Sequence, residues 1–296
     1  MAYRFKHRET VPQNVRRIAA EQLDSAIALL TGKRRASRED SVHRVRKSIK
    51  KTRALLRMLR PELSDSFGDE NVRLRDVGAG LSELRDTGAL IGTIDSLRGQ
   101  KGAPPKKLLS AVRRIFVLQK RQLEDQAAAR QLFSGLALEL RKTRRSIKDW
   151  PLKADGFKAI APGLERTFRD GKRALAVARS TGRTEDYHEW RKRVKDHWYQ
   201  VRLLNRVWEN MMSGYEQSLK ELETALGEDL NLSLLETQVQ ELARQDARRF
   251  PISSLSRSIG PARHDLRQQA LEIGAKVYAQ KPREFTSQLK KLWKVW

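Results

Sequence analysis

Residues 41–60 read SVHRVRKSIKKTRALLRMLR: eight Arg or Lys, one histidine and no carboxylate. The apolar residues keep helical time, with Val42, Val45, Ile49, Leu56 and Leu59 recurring at steps of three, four or seven. At about 100° per residue they share one face, while His43, Arg46, Lys47, Lys50, Ala54 and Arg57 share another, about 130° round the helix. At about 1.5 Å of rise per residue, the imidazole, ammonium and guanidinium groups form a stripe about 20 Å long. Ser37 with Asp40 three positions on predicts a helix start, and Pro61 predicts its end by disfavouring the α conformation at Arg60.

The stretch has a second copy. Residues 186–204 read DYHEWRKRVKDHWYQVRLL, and a shift of 145 positions lays His188 on His43, Arg191 on Arg46, Lys192 on Lys47, Lys195 on Lys50 and Arg202 on Arg57. The apolar frame follows, Val194 on Ile49, Val201 on Leu56 and Leu204 on Leu59. Without a gap, Leu74-Arg75-Asp76-Val77 then meets Leu219-Lys220-Glu221-Leu222, and Leu81, Glu83 and Leu90 meet Leu226, Glu228 and Leu235. Apolar agreement between helices is common. Agreement of a His-x-x-Arg-Lys-x-x-Lys set at an unchanged offset is not, and it predicts an internal duplication.

The surrounding composition sets the class. Of 296 residues 33% are charged and 6% aromatic, and the apolar ones are periodic, which predicts an all-α protein with a sizeable core. Net charge is +25, so self-repulsion is substantial and a polyanion would relieve it: nucleic acid, an anionic membrane or another phosphate polymer. The absence of cysteine excludes disulfides and thiolate metal sites. No N-terminal signal-like core and no membrane-length apolar run are visible, so the expectation is a soluble cytoplasmic protein.

In chain order, helices are predicted at 11–31, 37–60, 69–97 and 107–148, with a loop at 98–106 and a linker from Trp150-Pro151 to Gly163. The second half repeats the order with helices near 163–180, 183–209 and 213–246. A loop through FPISSLSRSIGPA and closing helices at 262–280 and 283–295 follow. The expected architecture is two four-helix bundles, residues 1–150 and 151–296, related by the duplication and packed about a pseudo-twofold axis. Gly78, Gly80 and Gly88 read as sites of close helix packing, because a phosphate-binding glycine loop would need a preceding strand.

Arginine offers a planar fork for two phosphate oxygens and lysine a mobile point charge, so twin basic stripes suit a ligand whose charge also repeats. A solvated basic face is the plain alternative for either run alone, but exposed helix faces usually mix signs to gain i,i+4 pairs, which residues 41–60 forgo. His43 and His188 lie on the stripes, where they could donate to phosphate. They make poor metal ligands, since neither has a His, Asp or Glu one turn on along the stripe. His197 falls in the apolar register and reads as a core or interface residue. His264-Asp265 on its own is a weak metal signature. Asp76, Asp86, Glu83, Glu221 and Glu228 could hold the basic side chains in place or simply be exposed. No Walker loop, paired carboxylates beside a stripe or nucleophile–base set is legible, so no catalytic residue, metal or cofactor is expected.

The segments VHRVRKSIKKTRALLRML with LSELRD, and YHEWRKRVKDHWYQVRLL with ALGEDLN, resemble the CHAD family, the histidine α-helical domain, over nearly the whole chain. The resemblance implies two four-helix bundles around a basic central groove and non-enzymatic binding of inorganic polyphosphate. It carries polyphosphate contacts onto His43, Arg46, Lys47, Lys50, Arg53 and Arg57, and onto His188, Arg191, Lys192, Lys195 and Arg202. The further basic clusters Arg141, Lys142 and Arg145, and Lys290 with Lys291, complete the candidate set. Trp198 stands where Arg53 does, so less positive charge is expected on that side. The implied partner is polyphosphate, with association with polyphosphate granules as an extension. A nucleic-acid binder and a metal-dependent phosphohydrolase are the rival readings.

Overall fold

Helix α2 (Arg38–Met58) starts as its sequence predicts: the Ser37 side chain accepts from the Asp40 amide at 3.1 Å, and Glu39 and Asp40 complement the positive end of the helix. Val42, Val45, Ile49, Leu55 and Leu56 are buried along one face. Its preceding neighbour α1 (Val11–Leu30) opens with a reciprocal capping box between Thr10 and Gln13. The computed structural model describes residues 3–100 and 102–296. After α2 come α3 (Arg60–Leu63), α4 (Ser66–Gly80), α5 (Ser82–Leu97), α6 (Lys106–Ala129) and α7 (Leu132–Ser146). The second half holds α8 (Phe157–Thr181), α9 (Thr184–Leu204), α10 (Glu209–Gln245), α11 (Ile252–Val277) and α12 (Pro282–Val295). The described residues contain no strand, so the fold is all-α.

Several of the predicted boundaries shift, and Arg60, expected to leave the helical conformation before Pro61, instead opens α3, where a proline in the first turn costs no hydrogen bond. The helix expected over 69–97 is two helices, broken at Leu81, and the region 107–148 is two helices, broken at Gln131 with φ 47°. Residues 157–163, assigned to the linker, already belong to α8, and most of the expected loop 250–262 belongs to α11. Pro162 and Pro261 therefore sit inside helices. Each removes one backbone hydrogen bond, but the apolar residues before them, Phe157 and Ile160 or Leu255 and Ile259, are buried and hold the turns in place.

In the first half α1, α2 and α4 pack together with α7, and in the second α8 and α9 pack with α10 and α12, α11 lying along α10. The halves meet where α2 contacts α8 and α9 and where α5 contacts α10. Both hydrophobic clusters cross this division. One joins Leu56 and Leu59 to Phe168 and Val201; the other joins Ile94 and Phe116 to Leu235 and Ile259. At about 1.5–3 kcal/mol for a fully buried large apolar side chain, the shared cores bind the halves strongly. Positions matched by the 145-residue shift agree in burial: Ile49 with Val194, Leu56 with Val201, Leu59 with Leu204, Leu74 with Leu219, Val77 with Leu222, Leu81 with Leu226 and Leu90 with Leu235 are all buried. No helix among the described residues is long and apolar enough to cross a membrane.

Candidate functional site

The basic stripe of α2 divides: His43 and Lys47 are exposed, whereas Arg46, Lys50, Arg53 and Arg57 are half-buried. Ala54, in its middle, is fully buried, and its carbonyl accepts a hydrogen bond from Gln200 Nε2 of α9 at 3.1 Å. The stripe therefore runs along the seam between halves, where it meets its counterpart. Arg46, Lys50, Arg53 and Arg57 from α2 and His188, Arg191, Lys192 and Lys195 from α9 line one cavity of about 630 Å³. Arg85 of α5 and Arg193 of α9 complete the cationic lining. Against nine Arg and Lys stand three carboxylates, Asp86, Glu189 and Asp196.

The two stripes are anchored differently, and position 78 and its match explain why. On α9, Glu223 of α10 accepts from both Arg191 (2.7 Å) and Lys195 (2.6 Å). The residue matched to Glu223 is Gly78. Arg46 instead donates to the Gly78 carbonyl and to Ser82 Oγ (2.8 Å), while Lys50 has no ion-pair partner among the described residues. Burial, then Lys195, Arg46 and Arg191, push the Lys50 ammonium down to about 7, only partly countered by Glu223. Lys195 is also lowered by burial, with Glu223 pulling it back up.

The other groups follow the same pattern. Burial and then Arg57 bring Arg53 down to about 10, and its Nε donates to Asn71 at 3.0 Å. His43 is lowered by burial and then by Arg85, Lys47 and Lys195; His188 is lowered by burial and then by Lys192 and Arg191. Both imidazoles are thus biased to the neutral form, the opposite of the direction a bound phosphate would impose. His188 Nδ1, Arg46 Nε and Arg191 Nε are buried without a hydrogen-bond partner among the described residues. Arg57 donates to Asp196 at 2.9 Å across the seam, and burial raises the Asp196 carboxyl although Arg57 pulls it down. The matched pair of positions, Arg202 and Lys51, also face each other, but both are cations, and burial and then Arg202 lower Lys51 to about 8.

The remaining predicted residues lie elsewhere. His43 lines an adjoining cavity of about 1170 Å³ that shares Arg85, Ala89 and Asn231 with the first and carries Glu39, Asp40, Glu228 and Asp265. Lys47 is exposed. Arg202 pairs with Glu216 at 3.0 Å and lies over the Trp198 ring. Arg141, Lys142 and Arg145 ride on α7, which packs on α1 and α4; Lys290 and Lys291 are exposed on α12, which packs on α8. None of these five lines either cavity. His197 is fully buried among Phe168, Tyr215, Tyr278 and Phe285, and its pKa falls to about 3 by burial alone.

Sequence reasoning passed over Glu223 and Arg85, and it reads Arg193, with Arg183, as flanking the second stripe, whereas Arg193 lines the cavity. Glu223 has no acidic match in the first half, so the duplication drew attention to Glu221 and Glu228. Glu221 instead accepts from Gln217, and Glu228 lines the adjoining cavity. Asp76 pairs with its exposed neighbour Arg75, whereas Asp86 does line the main cavity.

The arrangement lines the cavity between α2 and α9 with guanidinium forks and amines, several of them half-buried, a lining suited to a multiply charged anion. No curated protein matches the chain. Its fold is similar to a crystal structure of the CHAD domain from the plant Ricinus communis, with a TM-score of 0.64 and 15% identity over 94% of this chain and 95% of that one. The CHAD domain profile itself matches residues 17–240, and on that span the chain belongs to the CHAD domain family.

Proposed function

We propose that the protein binds inorganic polyphosphate, without turning it over, in the cavity between α2 and α9. The observation that carries this reading is the convergence of two matched basic stripes on one cavity with a threefold excess of Arg and Lys over carboxylates. Membership in a family linked to polyphosphate binding supports it. A linear phosphate polymer carries repeated charge on a narrow backbone. Arg46, Arg53, Arg57 and Arg191 provide forked donors for its oxygens, and the lysines neutralise the charge between. Binding releases counterions, so affinity falls with salt. The neutral fraction of Lys50 regains its proton beside the phosphates, which strengthens the complex.

Titration with long-chain polyphosphate and with single-stranded DNA of equal total charge tests the reading. Polyphosphate should bind far more tightly at matched salt, with no orthophosphate released when magnesium or manganese is added. Equal affinity for DNA would favour a nucleic-acid binder, and metal-dependent phosphate release would favour a phosphohydrolase.

A further inference from the structure

Lys50 and Lys195 occupy matched positions on α2 and α9, line the same cavity and differ in one neighbour. Lys195 is held by the Glu223 carboxylate at 2.6 Å; Lys50 faces Arg46, Arg191 and Lys195, and the carboxylate that acts on it most, Glu223, is already shared by two cations. The cavity of about 630 Å³ is large enough for a small phosphorylated metabolite and electropositive enough to draw one in. From this geometry we infer that Lys50 is a site of enzyme-independent acylation by acyl phosphates, the cavity recruiting the phosphoryl group beside an unpaired amine.

The chemistry closes without a further reagent. The Lys50 amine attacks the acyl carbon, the N–C bond forms, the C–O bond to phosphate breaks, and the amine proton leaves with the phosphate as hydrogen phosphate. Arg46 and Arg191 line the same cavity as this amine and would receive the departing phosphate. Burial and the neighbouring cations lower the Lys50 ammonium to about 7, so much more of it is free amine at neutral pH than of an exposed lysine. An ordinary lysine is neutral to only about one part in 2,500 there. A less basic amine is also a weaker nucleophile, which offsets part of this gain. The acylated side chain is uncharged, so modification lowers the positive charge of the cavity and would weaken polyanion binding. The inference needs only that the cavity attracts phosphate groups, and in that respect it rests on the proposed function.

The test uses the full chain with acetyl phosphate as probe at pH 7, and quantitative peptide mass spectrometry as readout. Lys50 should acylate at least about tenfold faster than Lys195 and the exposed Lys47. Two variants exchange the environments of the matched lysines. Gly78→Glu places a carboxylate beside Lys50, where an added Cβ meets only Ile49 Cγ2 at 3.7 Å, and should suppress its acylation. Glu223→Gln removes the partner of Lys195 and should speed acylation there. Lys50 reacting no faster than Lys195 and Lys47 overturns the inference, and so does a Gly78→Glu protein that folds normally and acylates Lys50 at the original rate. A saturating excess of long-chain polyphosphate separates this idea from the function. Fast acylation of Lys50 that polyphosphate suppresses supports both. Fast acylation that polyphosphate leaves unchanged supports the acyl-phosphate site and counts against polyphosphate as the occupant.

Discussion

At the scale of the residue, Lys50 shows how this protein places charge where charge is costly. Its ammonium is lowered from the usual lysine value to about 7 by burial and by three neighbouring cations. The unfolded chain therefore binds more protons than the folded one between about pH 7 and the ordinary lysine range. In the ligand-free protein, stability from this group rises with pH across that window and is lowest below it, where the native state carries a buried, unpaired charge. Lys50→Met should raise the thermal midpoint of the free protein at pH 7 while weakening polyphosphate binding; a lower midpoint would contradict the burial argument. Binding at pH 8 should be accompanied by proton uptake, which calorimetry in buffers of different ionisation enthalpy measures directly. Arg46→Ala combined with Lys50→Ala should weaken polyphosphate binding by several kcal/mol, as two charge-assisted contacts are lost. Arg183→Ala is the fitting control, because Arg183 is exposed and paired with Asp186 at 2.8 Å. Arg193, which reads from sequence as a flanking residue, lines the cavity and should behave as part of it.

At the scale of the element, most helices were legible from apolar periodicity, with Ser37 marking one start by cap chemistry; the Thr10 cap of α1 emerged only from the structure. Two of the errors share a cause. Pro162 and Pro261 carry strong local signals for a boundary, yet burial on the preceding turn outweighs the lost hydrogen bond in each. The break at Leu81 leaves no proline or cap residue to read, since Leu81 is a buried core residue without a side-chain cap. Glycine meaning was equally hidden. Gly78, Gly80 and Gly88 read as packing positions, and a Cβ on them would meet its neighbours at 3.7, 3.2 and 3.3 Å. The closest approach is at Gly163 of α8, where a Cβ would lie 1.9 Å from the Met58 carbonyl oxygen at the end of α2. Gly163→Ala should therefore push α8 off α2 and destabilise the fold by about 3 kcal/mol. A denaturation midpoint within error of the wild type would show that α8 can shift freely there.

At the scale of the whole molecule, the stripes were legible but their destination was not. Periodicity placed His43 through Arg57 on one face; it could not say that Ala54 on that face packs under Gln200, or that α5 adds Arg85. With Arg46 to Arg57 and His188 to Lys195 on one cavity, a long polymer bound as proposed would touch both helices at once, and the second contact would be intramolecular. Affinity should climb with chain length and level off once the ligand spans α2 and α9, with triphosphate and pyrophosphate binding far more weakly. Calorimetry on a protein carrying Arg191→Ala and Lys195→Ala should show lower long-chain affinity at unchanged stoichiometry. Halved stoichiometry at unchanged affinity would mean two independent sites.

The matched contacts across the seam, Arg57 with Asp196 and Arg202 facing Lys51, carry a consequence for the kind of polymer that fits. Linear polyphosphate has no sense of direction: its two ends are chemically identical, and a molecule threaded either way offers the same oxygens. A nucleic-acid strand has a polarity, so two helices bearing the same side-chain set from opposite sides meet it in unlike orientations and cannot both make the same contacts. The repeated His-x-x-Arg-Lys-x-x-Lys set suits a ligand that reads the same from either end. The difference in counter-charge at Glu223 against Gly78, beside that at Asp196 against Lys51, would then give a directionless chain a stronger and a weaker grip within a single cavity.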